Sequence, residues 1–153
     1  MYDKLKAFWV STFILLGATG MLLAQDEGIS DVELKDYAII EMAKNSIVNS
    51  ISPMVNELIE KQEGMTGTRF QELMNCKGDA AKLSAANAQE WEIKFLNLVN
   101  GQIDKRKTAA GEVVKLLAGN TLGAARYNSV KQGLGSDPEL KARYDAIWES
   151  LNN

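Results

Sequence analysis

The chain has 153 residues, with 17 basic and 20 acidic side chains, a net charge of −3, one cysteine and no histidine. Mild acidity argues against bulk nucleic-acid binding, which depends on basic surface. The missing histidine removes the commonest general base, the Ser-His and Cys-His nucleophile pairs, the usual zinc sites and the Glu-x-x-His di-iron bundle, and a lone Cys76 cannot form an internal disulfide.

The first residues, "MYDKLKAFWVSTFILLGATGMLLAQDEG", place Lys4 and Lys6 before an apolar run from Ala7 to Leu23, then a small residue, Ala24, before polar Gln25 and Asp26. That is the layout of a secretory signal peptide. Residues 1–24 are expected to be the signal peptide and 25–153 a single helical domain. If the segment is retained, the run is near the lower limit for an anchor crossing ~30 Å of hydrocarbon. No cysteine follows the run, so a lipid-modified terminus is not expected.

Beyond this segment, apolar residues recur at helical steps and no alternating β pattern appears. In "SDVELKDYAIIEMAKNSIVNSISPMVNELIEKQ", Leu34, Tyr37, Ile40, Ile47, Ile51, Met54 and Leu58 mark one long amphipathic helix, kinked near Pro53. "RFQELMN" (Arg69–Asn75) is a short helix with Phe70, Leu73 and Met74 on its apolar edge, closed by "CKGD". A second long helix is expected from about Ser84, with Trp91, Phe95, Leu98, Val99, Ile103, Ala110, Val113 and Leu117 keeping the period and "AGNT" around Gly119 as its stop. Arg106 falls where an apolar residue is due, which marks either a change of partner or a frayed turn.

The last third reads as a helix from Leu122 to Leu134, a stop at Gly135, and a final helix with Leu140, Tyr144, Ile147, Trp148 and Leu151 on one face. Ser136, Pro138 and Glu139 read as a Ser-x-x-Glu capping box with proline near the first position. "SDVELK" at Ser30 and "SDPELK" at Ser136 echo each other, and shared capping preferences account for the echo. The fold expected is all-α: a small bundle of two long helices plus shorter ones, with a C-terminal helix-turn-helix corner.

Candidate chemistry is sparse. Cys76, beside Lys77, has only that lysine and a helix terminus to activate it, so it is read as a buried structural thiol. Glu57 with Glu60 and Glu90 with Glu92 are paired carboxylates, but Lys61 and Lys94 lie four residues from Glu57 and Glu90, the spacing of solvated ion pairs. Asp26, Glu27, Asp31 and Glu33 lack the alternation of a calcium loop. The cations of "DKRK" (Asp104–Lys107) fan around a helix, and Trp91, Trp148, Tyr127 and Tyr144 at helical spacing read as core. No catalytic residue, metal ligand or cofactor-binding residue is assigned.

"ELKDYAIIEMAKNSI" together with "YNSVKQGLGSDPELKARY" resembles the bacterial exported domain-of-unknown-function family 4168, in which a Tyr-Asn pair precedes Asp-Pro-Glu-Leu by about ten residues. Here those elements are Tyr127, Asn128, Asp137, Pro138, Glu139 and Leu140. The middle segment "GMTGTRFQELMNCKGD" departs from that pattern. The resemblance implies a small, exported, helical protein and brings no assigned activity.

The functional expectation is a non-enzymatic helical protein of the periplasm or cell envelope of a Gram-negative bacterium, serving as a structural or protein-interaction module. Its partner would be another envelope protein, with no nucleic acid, no small-molecule substrate evident, and membrane contact only through an uncleaved N-terminal segment. The alternative is a holdase-like or stress-associated protein, for which Met42, Met54, Met65 and Met74 would form a flexible apolar surface. An enzyme would instead require a closed pocket holding carboxylates of raised pKa.

Overall fold

The computed structural model describes residues 28–153, which form seven α-helices and, among the described residues, no strand. The all-α expectation is met. The signal-peptide reading lies outside the described residues.

Helix α1 (Asp31–Asn49) starts at Ser30, whose hydroxyl accepts the Glu33 N–H while the Glu33 carboxylate accepts the Ser30 N–H at 2.8 Å. The expected kink is a break: α1 ends and α2 (Ile51–Lys61) begins on either side of Ser50. Pro53 carries no N–H for the Asn49 carbonyl, so the interruption falls one turn before the proline itself. Ser50 bridges the break, its hydroxyl donating to the Ile47 carbonyl at 2.7 Å.

Helix α3 (Gly67–Asn75) is capped by the Thr66 hydroxyl, which accepts the Arg69 N–H at 3.1 Å. The helix expected from Ser84 is two helices. Ser84 belongs to α4 (Ala80–Ala85), capped by Asp79, and the long helix α5 (Glu90–Asn120) starts later, after Asn87 takes a left-handed φ of 52°. Asparagine tolerates that conformation better than most residues, which lets the chain turn between two helices. Helix α5 ends at Asn120, inside "AGNT", as the sequence predicts, but the left-handed residue that completes the end is not Gly119. Its turn closes at Gly123, with φ of 74° and its N–H donating to the Ala118 carbonyl at 2.7 Å, a Schellman-type end.

Helices α6 (Ala124–Ser136) and α7 (Pro138–Asn152) complete the chain. The α1–α2 pair runs antiparallel to α5: Arg106 Nε donates to Ser50 Oγ at 3.3 Å, and Gly64 lies against the Trp91 ring. Arg106 therefore meets the break between α1 and α2, and α5 continues through this position without fraying.

Two apolar cores result. One gathers Met65, Phe70, Leu73, Cys76, Leu83, Phe95, Leu96 and Val99 from α3, α4, the first half of α5 and neighbouring turns. The other gathers Leu34, Tyr37, Val130 and Leu140 from α1, α6 and α7. Between them, the small buried residues Ala38 and Ala110 serve the α1–α5 pair. Leu98, assigned to the buried stripe by spacing, is 52% exposed, and its place in the core is taken by Leu96.

Candidate functional site

The six motif residues lie on α6 and α7, and the structure gives them different tasks. Tyr127 is half-buried, with its ring 5.0 Å from that of Tyr37 on α1 and its hydroxyl donating to Glu41 Oε1 at 2.7 Å. Tyr37 stands edge-on to Tyr144 at 5.9 Å, and Tyr144 is 5.8 Å from Trp148. Helical spacing reads Tyr127 as core without naming its partner. Tyr144 and Ile147 do share its cluster, but its direct ring partner comes from α1.

Burial holds all three phenols in the neutral form. Desolvation raises the pKa of Tyr37, raises Tyr144 to about 12, and raises Tyr127 with further help from the Glu41 carboxylate it bonds. Lys44, one turn beyond Glu41, pairs with the same carboxylate. The aromatic cluster is thus a neutral packed seam with its one polar edge satisfied.

Asn128 is exposed. Leu140 is buried at 5%, Pro138 occupies the first position of α7, and Glu139 is exposed in its first turn. The capping assignment needs correction. Asp137, not Ser136, is the cap: its Oδ1 accepts the Glu139 and Leu140 N–H groups at 2.9 and 3.1 Å. Ser136 is the last residue of α6, and its hydroxyl donates back to the Gln132 carbonyl at 3.1 Å.

Proline explains the shift by one residue. A Ser136 cap would put Asp137 in the first helical turn, yet the residue before a proline is driven out of the α region. Asp137 takes φ −117° and ψ 106°, as that rule requires, and Pro138 then sits where its missing N–H costs nothing. Val32 imposes no such constraint at the equivalent place in α1, so Ser30 does cap there with Glu33. The two echoed hexapeptides make different caps.

Two arginines tie this corner to the start of α1. Arg126 of α6 holds Glu33 through Nε and, at 2.9 Å, through Nη2, which also reaches the Gly28 carbonyl at 3.2 Å. Arg143 of α7 donates to Asp31 at 2.9 and 2.5 Å and to the Ile29 carbonyl at 3.0 Å. The Arg126 guanidinium and the Ser30 groups hold the Glu33 carboxyl at about 2, below its ordinary 4.5. Asp31 and Glu33 are therefore occupied as helix-clamping anions. A cavity of about 530 Å³ beside this clasp is bordered by Arg126, Arg143 and Asp137.

The carboxylate pairs divide. Glu57–Lys61 and Glu90–Lys94 are surface pairs at 2.5 Å, as the spacing predicts. Glu92 is not solvated: it is 4% exposed and accepts Arg69 Nε and Nη2 at 2.7 and 2.8 Å. The remaining Arg69 donors reach Glu72 at 2.8 Å, the Ala86 carbonyl at 3.0 Å and the Asn87 carbonyl at 3.3 Å. Its guanidinium has five N–H groups, and all are used. Glu92 also accepts the Gln89 N–H at 2.7 Å, opening α5. Arg69 holds the carboxyl of Glu92 below the ordinary range, so this buried pair fastens α3 and α5 and carries no proton for chemistry.

Cys76 is buried and free, with its thiol directed to the Glu72 carbonyl at 3.6 Å. Lys105 and Lys107 are exposed while Arg106 is half-buried, so the "DKRK" cations do fan apart. Of the methionines singled out, Met65 is buried and Met42, Met54 and Met74 are half-buried, so they fill gaps in packing. Trp91, at 39%, is exposed. Among the described residues, no group of three or more Cys, Asp or Glu could hold a metal ion, and no helix is long and apolar enough to cross a membrane. Comparison of the chain with protein-family models, with curated proteins and with solved structures returned no match.

Proposed function

We propose that this protein is a non-enzymatic helical module of a bacterial cell envelope, exported through its N-terminal segment and acting by holding or contacting another envelope protein. The observation that carries the reading is how its polar groups are spent. Arg69, Glu92, Asp31, Glu33, Tyr127 and Asp137 each serve a helix end or a helix-helix seam. Of the motif residues supporting the likeness to family 4168, Tyr127, Asp137, Pro138 and Leu140 fall into the same pattern, and membership of that family is part of the proposal.

Large apolar side chains are left in water on the outer faces, among them Val32 at 70% and Leu116 at 64%. Singly exposed apolar groups are ordinary on a protein surface, and these two give positions from which a partner can be sought. The test combines N-terminal sequencing of envelope material with crosslinking from photoreactive residues at positions 32 and 116. A start at Gln25 and a discrete crosslinked protein are expected. An intact Met1 in a membrane pellet overturns the cleaved-export reading, and absence of any crosslinked protein overturns the module reading. Tyr127→Ala should lower thermal stability by about 3 kcal/mol, since it removes a ring packed on Tyr37 together with the hydroxyl that bonds Glu41. Unchanged melting with lost crosslinks would instead make Tyr127 a recognition residue.

A further inference from the structure

A cavity of about 280 Å³ lies between α3, the turn after it, α4 and the first half of α5, and none of the clasps described above uses it. Its floor is apolar, formed by the buried Leu73, Leu83 and Leu96. Lys77, Asn97 and Asn100, all exposed, stand at its mouth. Asn97 and Asn100 are three residues apart on α5 and share a helix face, so their amide donors flank the same opening.

Lys77 is the unusual group. Its φ is 53°, a left-handed conformation that side chains with a Cβ rarely adopt, and Gly78 follows at 76°. Strained backbone of this sort collects at binding sites. Among the described residues Lys77 forms no ion pair, and the nearby carboxylate of Asp79 is engaged in capping α4 at 2.9 and 3.1 Å. An uncompensated cation and two amide donors therefore ring an apolar slot. The segment that departs from the family pattern supplies one wall of the slot, and α4 and α5 supply the rest.

We infer that this cavity binds one medium-chain fatty acid, its acyl chain against Leu73, Leu83 and Leu96 and its carboxylate at Lys77 with Asn97 and Asn100. The volume lies just below the ~300–1,000 Å³ range of drug-sized ligand pockets, which suits a single short chain and excludes a diacyl lipid. The inference goes beyond the interaction-module reading and does not depend on it.

The test is a titration of the purified protein with hexanoate, octanoate and 1-octanol, followed by amide chemical shifts. Octanoate should bind on the order of tenfold more tightly than hexanoate because two more methylenes are buried. The largest shifts should fall at Leu73, Leu83, Leu96 and Asn97. Lys77→Gln should weaken octanoate about fivefold and leave 1-octanol unchanged, with Lys77→Arg restoring the acid. Asn97→Trp, which plugs the mouth from an exposed position, should abolish octanoate binding while leaving the melting temperature in place. Equal affinity for hexanoate and octanoate, shifts centred on the exposed Leu98 or Leu116, or octanoate binding that survives Asn97→Trp would each overturn the inference. An equal loss of acid and alcohol in Lys77→Gln would overturn the role of the charge.

Discussion

Replacing Asp137 by alanine removes two hydrogen bonds at once, because a single Oδ1 accepts the N–H groups of Glu139 and Leu140. Losing such a cap costs about 0.5–2 kcal/mol, and the negative charge at the positive end of α7 adds roughly 0.3–1 kcal/mol. Asp137→Ala should therefore destabilise the protein by about 2 kcal/mol, and Asp137→Asn by only the charge share. Ser136→Ala should cost almost nothing, since its exposed hydroxyl only bonds back to carbonyls of its own helix, and alanine is the better helix former. Ser30→Ala, in the echoed hexapeptide, should cost about 1 kcal/mol because that serine is a true cap. Urea unfolding followed by far-ultraviolet circular dichroism measures all four midpoints in one series. If Ser136→Ala costs as much as Asp137→Ala, the argument from proline to the cap position is wrong. If Ser30→Ala is neutral, the distinction between the echoed caps fails.

Glu92→Gln should destabilise by about 3–5 kcal/mol, because it leaves the Arg69 guanidinium partly buried without its bidentate partner; chemical denaturation checks this. Arg69→Met with Glu92→Met should recover much of that loss, and a double variant no better than Glu92→Gln would refute the ion-pair account. Glu33 has its carboxyl pKa lowered from 4.5 to about 2, so its stabilising share is complete above about 4.5 and is lost as pH falls toward 2. A quarter of its side chain faces water, which screens the pair and leaves on the order of 1 kcal/mol, measurable as a pH-dependent difference between the native protein and Glu33→Gln. Gly133→Ala should destabilise by about 1–3 kcal/mol despite better helix propensity, since a Cβ there would meet Leu140 Cδ2 at 2.7 Å and Ile29 Cδ1 at 3.1 Å. A rise in melting temperature for that variant would show that the α6–α7 contact gives way easily.

What the sequence discloses here is what local physics decides. Helical spacing around Leu34 and Tyr37, the Ser30 cap, and the Glu57–Lys61 pair each depend on residues within one or two turns, and each is present. The Asp137 cap was also legible, had the rule for the residue before proline been applied ahead of the Ser-x-x-Glu pattern. Glu92 was not: its partner Arg69 lies 23 residues earlier, and nothing in "EWEIK" distinguishes a buried carboxylate from the solvated Glu90 beside it. Gln89-x-x-Glu92 marks a helix start only faintly, because glutamine is a weak cap residue. Tyr127 was read as a seam residue, yet its pairing with Tyr37 and Glu41 depends on α1 returning beside α6, which local pattern does not specify. The slot beside Lys77 arises from three separate segments and left no trace as a motif.

The Arg126–Glu33 and Arg143–Asp31 clasps join residues 93 and 112 positions apart. Seen during synthesis, that span sets an order of events. Helix α1 emerges first, but Leu34 and Tyr37 find Val130, Leu140 and Tyr144 only when the last helix has been made. At roughly 5–20 residues per second that end of α1 waits several seconds for its partners on α6 and α7, although α5 is available to it earlier. Closing a loop that long before its contacts form is unfavourable, so the two clasps form late. For the exported chain proposed above, the α1–α6–α7 corner is then the last of these contacts to lock.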